Sequence, residues 1–241
     1  MKLEVLGSGS TGNCYLLHTS NGIIIIEAGI KWSEVLEALN FDVSNILCCL
    51  VSHEHGDHGK YAKEYAQRGG FQLVMTNGTA DSLSIPPYLL QNNVEKLGIK
   101  MFETQHDAVE PCGFYIRDLK TNESLVFATD TYYVKYKFPP VNYIMVECNY
   151  AEDTLQKNMD DGYIDVSRAK RLLKSHFELS RVKDFIKANN TMNLSNVILL
   201  HLSSKNSDSK RFKDEVGSIT LAMVEVASKG LKIDLGSEFI L

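Results

Sequence analysis

Val51-Ser52-His53-Glu54-His55-Gly56-Asp57-His58 decides how this chain is read. It follows an apolar strand expected over 46–50 and precedes a helix expected over 60–67. Three imidazoles and the Asp57 carboxylate within six positions are costly to pack unless something binds them. At a strand-to-helix turn, alternating residues can point the same way. His53 and His55 then face one metal ion, while Asp57 and His58 turn toward a second. A borderline cation such as Zn²⁺ suits mixed imidazole and carboxylate ligands. The plain alternative is a solvated polar loop after a strand.

Outward from that stretch, short runs rich in Ile, Leu and Val predict strands at 3–8, 14–19, 22–27 and 46–52, with a helix at 32–39. Further strands are expected at 100–105, 114–119, 124–128 and 142–146. Amphipathic helices follow at 167–173 and 179–188, then a buried strand at 197–200 that ends at His201. The longest helix is expected over 210–229, where Val216, Ile219, Met223, Val226 and Ala227 fall on one face. Strands then helices, twice over, predicts an α/β chain with helices outside two packed sheets.

With 241 residues, a single domain over 1–241 is the expectation. Hydrophobic residues make up 44% of the chain, which excludes a disordered composition. No apolar run approaches the roughly 20 residues that span a bilayer, and no signal-like stretch opens the sequence. The expectation is therefore a cytoplasmic protein with no membrane partner. Cysteines 14, 48, 49, 112 and 148 are odd in number and show no C-x-x-C spacing, which predicts reduced, buried thiols. A formal net charge of −5 tilts the expected substrate toward a small molecule rather than a long nucleic acid.

The H-x-H-x-D-H arrangement at 53–58 resembles the signature of the metallo-β-lactamase superfamily, and the likeness runs over nearly the whole chain. It implies a four-layer αββα fold. Glu27-Ala28-Gly29 stands where that family has an Asp-Ala-Gly step, with Glu as a departure. His106 in Gln105-His106-Asp107-Ala108, Asp130 in Ala128-Thr129-Asp130-Thr131 and His201 in Leu199-Leu200-His201-Leu202 match the remaining ligand motifs. The resemblance implies two divalent ions, Zn²⁺ first and Mn²⁺ as the alternative. His53, His55 and His106 hold one and Asp57, His58 and His201 the other, with Asp130 between them. His18 fits no motif.

The stretch Ser175-His176-Phe177-Glu178 is similar to the tail of the ribonuclease Z branch, which gives His176 a role in proton transfer or at the scissile phosphate. A closer likeness is to small bacterial and phage members. These are the DNA exonucleases of cell-wall-regulation operons and the anti-Pycsar phosphodiesterases that open cyclic mononucleotides. It rests on Gly7-Ser8-Gly9-Ser10-Thr11-Gly12-Asn13, on Asp130-Thr131 and on Val146-Glu147-Cys148-Asn149-Tyr150, where Tyr150 replaces a histidine. The chemistry expected is hydrolysis of a phosphodiester by a metal-bridging hydroxide, with Asp57 orienting the water and His176 as general acid. The stretch from 106 to 130 has no room for the long arm that ribonuclease Z uses on transfer RNA. A cyclic nucleotide is the first substrate expected, DNA the second, and a non-catalytic, metal-stabilised interaction protein the third reading. The resemblance also implies a homodimer. Tyr132, Tyr133 and Tyr136 are placed either to stack on a base or as ordinary surface aromatics.

Overall fold

The isoleucine run at 23–26 is the most strand-like segment of the sequence, and in the computed structural model, which describes residues 1–236, Ile24, Ile25 and Ile26 are fully buried. The elements in chain order are β1 (Lys2–Gly7), β2 (Cys14–Thr19), β3 (Gly22–Ile26), α1 (Trp32–Ala38), β4 (Ile46–Leu50), α2 (Gly56–Gly59), α3 (Ala62–Gly69), β5 (Gln72–Val74), α4 (Asn77–Ser82), β6 (Leu97–Glu103) and β7 (Cys112–Asp118). Then come β8 (Ser124–Ala128), β9 (Tyr143–Glu147), α5 (Glu152–Asp160), α6 (Val166–Ser175), α7 (Leu179–Asn189), β10 (Asn196–Leu200), α8 (Ser209–Gly217), β11 (Met223–Val226) and β12 (Lys232–Asp234). The described strands fall into two six-stranded mixed sheets, so the α/β expectation is met.

The chain divides into two compact units. The first comprises residues 1–103, 108–124 and the segment from 227 onward. It contains the whole of one sheet, ordered β12-β1-β2-β3-β4-β5, together with the antiparallel β6–β7 pair. Strands β1 to β3 pair antiparallel, whereas β3–β4 and β4–β5 are parallel. Parallel strands are covered on both faces, which is why β3 and β4 are unbroken apolar runs rather than alternating ones. Trp32 of α1 packs on Tyr65 of α3 and on Phe71, with ring centroids 5.1 and 6.0 Å away.

The second unit comprises residues 104–107 and 125–226. Its strands run in the order β11-β10-β9-β8, all parallel. The β9–β10 crossover contains the helices α5, α6 and α7 and the β10–β11 crossover contains α8. A satellite cluster of Tyr150, Leu155, Ile164 and Ala169 seats α5 and α6. Tyr150, the residue that departs from the family pattern, is thus a packing residue.

The helix expected over 210–229 is a helix and a strand. Helix α8 is preceded by Asp208, whose side chain accepts from the Arg211 amide, and ends at Gly217. The chain then re-enters as β11, paired parallel to β10 from Met223 to Val226. Val216 and Val224 are both buried, but in different elements. The apparent 3.6-residue periodicity is the sum of a short helix and the period-2 run Met-Val-Glu-Val, separated by Gly217 and the β-branched Thr220.

Candidate metal centre

In the first unit the chain leaves β4 through Val51 and Ser52 and turns at once into α2, so the histidine stretch occupies the carboxyl end of a buried parallel strand. His53 and His58 are almost wholly buried. Ser52 Oγ lies 2.8 Å from His53 Nδ1, which leaves Nε2 facing His55 Nδ1 at 3.1 Å. The His53 and His58 rings are 4.2 Å apart. Asp57 Oδ2 is 3.5 Å from His58 Nε2, and Asn13 Nδ2 is 3.1 Å from the same nitrogen. The four residues that the sequence grouped here, His53, His55, Asp57 and His58, are therefore gathered around one another.

The backbone that holds them is tied to the loop after β3. Asn13 N donates to Asp57 O at 2.8 Å, and Ala28 N donates to His58 O at 2.6 Å. Gly29 N donates to Asn13 O at 3.0 Å. A Cβ at Gly29 would lie 1.9 Å from Asp57 O, so only glycine permits this approach. Glu27, in left-handed conformation at φ 66°, is fully buried. Its Oε2 accepts from Ser52 N at 3.4 Å and sits 3.6 Å from His58 Nδ1. Glu for Asp at this position still reaches the ligand loop. Glu27 Oε1 is buried with no hydrogen-bond partner among the described residues, which fits a group that balances nearby positive charge.

In the second unit the register aligns three strand ends. Ala128, Val146 and Leu199 are neighbours across β8, β9 and β10. Asp130 and His201 each lie two residues beyond that level and Glu147 one beyond it. Asp130 and His201 both have positive φ, 42° and 51°, a conformation that non-glycine residues adopt at a cost of about 1–3 kcal/mol and that clusters at functional sites. Ligand atoms of Asp130, Glu147, His176 and His201 all lie within 4.8 Å of one another. His201 Nδ1 is 3.5 Å from Asp130 Oδ1 and 3.4 Å from Glu147 Oε1. Asn149 Nδ2 holds the histidine through its backbone carbonyl at 2.9 Å. His106 Nε2 is 3.6 Å from Asp130 Oδ2, and His106 Nδ1 donates to Ser175 O at 2.8 Å. That bond fixes the tautomer and leaves Nε2 as the nitrogen that could hold a metal.

His176, directly after α6, stacks on His201 with 5.7 Å between centroids. Its Nδ1 donates to Glu147 Oε1 at 2.5 Å. Glu147 Oε2 in turn accepts from the amides of Thr131 and Phe177 at 3.0 and 3.1 Å. Burial alone would depress the imidazole, but the Glu147 carboxylate outweighs it and holds His176 above its ordinary value of 6.5. Burial pushes the Glu147 carboxyl up, and the His176 charge and hydrogen bonds bring it below its ordinary value. Burial holds His106 below 6.5, in the neutral form a ligand needs. Glu147 has no role among the residues expected from the sequence. Its signal was a carboxylate closing an otherwise apolar strand.

Buried imidazole nitrogens and carboxylate oxygens at strand ends, several of them steadied by a serine, asparagine or backbone partner, form a donor set suited to divalent cations. The Metallo-beta-lactamase superfamily model matches residues 7–114. The exodeoxyribonuclease WalJ of Streptococcus pneumoniae is 31% identical over 150 residues, covering 55% of each protein, so the chain spans about half the length of that curated relative. Among solved structures, the metallo-β-lactamase fold protein YhfI from Bacillus subtilis superposes with a TM-score of 0.72 over 96% of this chain and 98% of its own, at 15% identity. The short form of human tRNase Z does so with a TM-score of 0.66 over 98% and 100%, at 12% identity. From the H-x-H-x-D-H stretch to the full-length superpositions, these observations agree that the chain has the metallo-β-lactamase fold.

Proposed function

We propose that this protein is a metal-dependent phosphodiesterase that acts on a nucleic-acid strand. His53, His55 and His106 are assigned to one divalent ion and Asp57, His58 and His201 to a second, with Asp130 shared and Zn²⁺ the expected metal. When bound, the ions supply Lewis acidity and an activated water. The observation that carries the reading is the buried Glu147–His176 pair beside Asp130 and His201. Glu147 favours the protonated imidazole and fixes its ring, so that Nε2–H can donate to a phosphate oxygen or to the leaving oxygen. Asp57 orients the attacking water.

The strand substrate is supported by the exodeoxyribonuclease relative and by local charge. Helices α6 and α7 with the turn between them carry seven Lys or Arg against two acids, in a chain of net charge −5. Arg168, Lys170 and Lys174 make no ion pair among the described residues, and cations at such a surface suit a phosphate backbone. This reverses the order that the acidic total suggested, because recognition depends on the local face and not on the sum. The second reading, a cyclic mononucleotide, is favoured by the short stretch between His106 and Asp130.

The test is incubation of Zn²⁺- or Mn²⁺-loaded protein with linear duplex DNA, single-stranded DNA and a panel of cyclic mononucleotides, beside the His55→Ala/Asp57→Ala variant. Degraded DNA that the variant leaves intact supports the first reading. Opened cyclic nucleotides with intact DNA support the second. Failure to cleave any of them overturns both.

A further inference from the structure

The second unit holds a cavity of about 320 Å³ that the ligand set does not use, lined by Tyr133, Lys135, Tyr136, Lys137, Phe177 and Arg181. That volume is at the lower end of the range of ligand pockets, about 300–1,000 Å³. Its place in the chain ties it to the candidate centre twice over. Tyr133 lies three residues past Asp130, a span of at most about 10 Å. Phe177 directly follows His176. The ring of Phe177 is buried and packs on Phe185 with 6.1 Å between centroids, which gives the cavity an apolar floor. Tyr133 is 52% exposed and Tyr136 half-buried at the rim.

The polar lining is cationic. Lys135, Lys137 and Arg181 face a single acid, Asp184, which is engaged with Lys187 at 3.7 Å. Lys135 Nζ lies 5.3 Å from the Tyr136 ring centroid, and Arg181 Nη1 reaches Tyr132 O at 3.4 Å. Aromatic faces beside fixed cations are the chemistry that binds a base together with a phosphate, and stacking accepts any base. An apolar or anionic ligand without a ring would leave half of this lining unused.

We propose that this cavity is a subsite for the nucleotide adjoining the scissile bond, with Tyr133 and Tyr136 stacking on its base and Lys135, Lys137 and Arg181 on its phosphate. The inference rests on the phosphodiesterase reading and deepens it. A cyclic mononucleotide has one phosphate, which the reacting centre would take. A second cationic, aromatic cavity suits a substrate with a further base and phosphate, such as a strand.

The test separates binding from turnover. Fluorescence anisotropy of a labelled phosphorothioate thymidylate tetramer, which resists hydrolysis, is measured with the metal-loaded full chain and with Tyr133→Ala/Lys137→Ala. Both substituted residues are exposed, so the fold is preserved. The expected result is tetramer affinity weakened about tenfold or more in the variant, the scale of losing one stacked base, and restored by Tyr133→Phe/Lys137→Arg. Unchanged affinity in the alanine variant, or no binding of the tetramer by the unmodified protein, overturns the subsite. Hydrolysis of bis(p-nitrophenyl) phosphate, which has no base and one phosphate, is assayed in parallel. Its absence in the unmodified protein would count against the phosphodiesterase reading and leave the binding result to stand by itself.

Discussion

A carboxylate with no role among the residues expected from the sequence, Glu147, joins His176 to the strand ends of the second unit. Glu147 accepts from His176 and from two backbone amides, so replacing it changes the charge while leaving most of the shape. Glu147→Gln is expected to lower kcat by about 10²–10⁴, the usual contribution of a positioned proton donor, with little change in metal content. His176→Ala should cost a similar factor, and the double variant hardly more than either single one, because the two act as a unit. Metal analysis alongside steady-state kinetics checks this, and additive losses would sink the pairing. The clustering of candidate ligands was legible in the sequence because histidines at 53, 55 and 58 have few other uses. Glu147 was not, because a lone acid at a strand end reads the same whether it caps, packs or transfers protons.

At the scale of elements, the strand ends do the positioning, and the loop after β3 is the most constrained of them. Gly29→Ala places a methyl group where the Asp57 carbonyl stands, at 1.9 Å. The loop must move, and Asp57 and His58 with it. The expected outcome is loss of one equivalent of bound metal together with destabilisation of about 1–3 kcal/mol, read by metal analysis and thermal unfolding. A variant that keeps both its metal and its stability would show that the approach is softer than the contact implies. Most strands were legible because buried parallel strands are continuous apolar runs. The stretch 210–229 was not, since apolar residues from α8 and β11 fall by chance into helical spacing, and only pairing of Met223–Val226 with β10 decides against a helix. The subsite residues Lys135 and Lys137 carried no signal at all, because a cavity exists only once separate segments have been brought together.

For the molecule as a whole, two predictions follow from what is buried where. Asp118 is buried in the first unit and accepts from Ser20 N, Ser20 Oγ, Asn21 Nδ2 and Lys120 N at 2.8–3.0 Å. Burial pushes its carboxyl up, but these hydrogen bonds outweigh that and hold it below its ordinary 3.8. A depressed carboxylate contributes stability that is complete above the unfolded-state value and is lost as pH falls through the folded-state value. Asp118→Asn should therefore cost about 2 kcal/mol at pH 7, and the gap to the unmodified protein should close below about pH 4. Thermal unfolding across pH 3–8 measures both. The five cysteines are buried and free, and burial raises each thiol, Cys48 to about 12. Ellman's reagent should find no fast-reacting thiol in the native protein and five after denaturation.

The parallel strands of the second unit also have a kinetic consequence. Asp130 and His201 come level only when β8, β9 and β10 are paired, and the β9–β10 pairing closes a long crossover that contains α5, α6 and α7. Non-local pairing of this kind is slow and is completed late. A cation that needs both of those side chains cannot be fully held in the transition state for folding. Zinc should then leave the refolding rate unchanged and slow unfolding, so that a metal-loaded molecule outlasts a chelated one by persisting longer once formed.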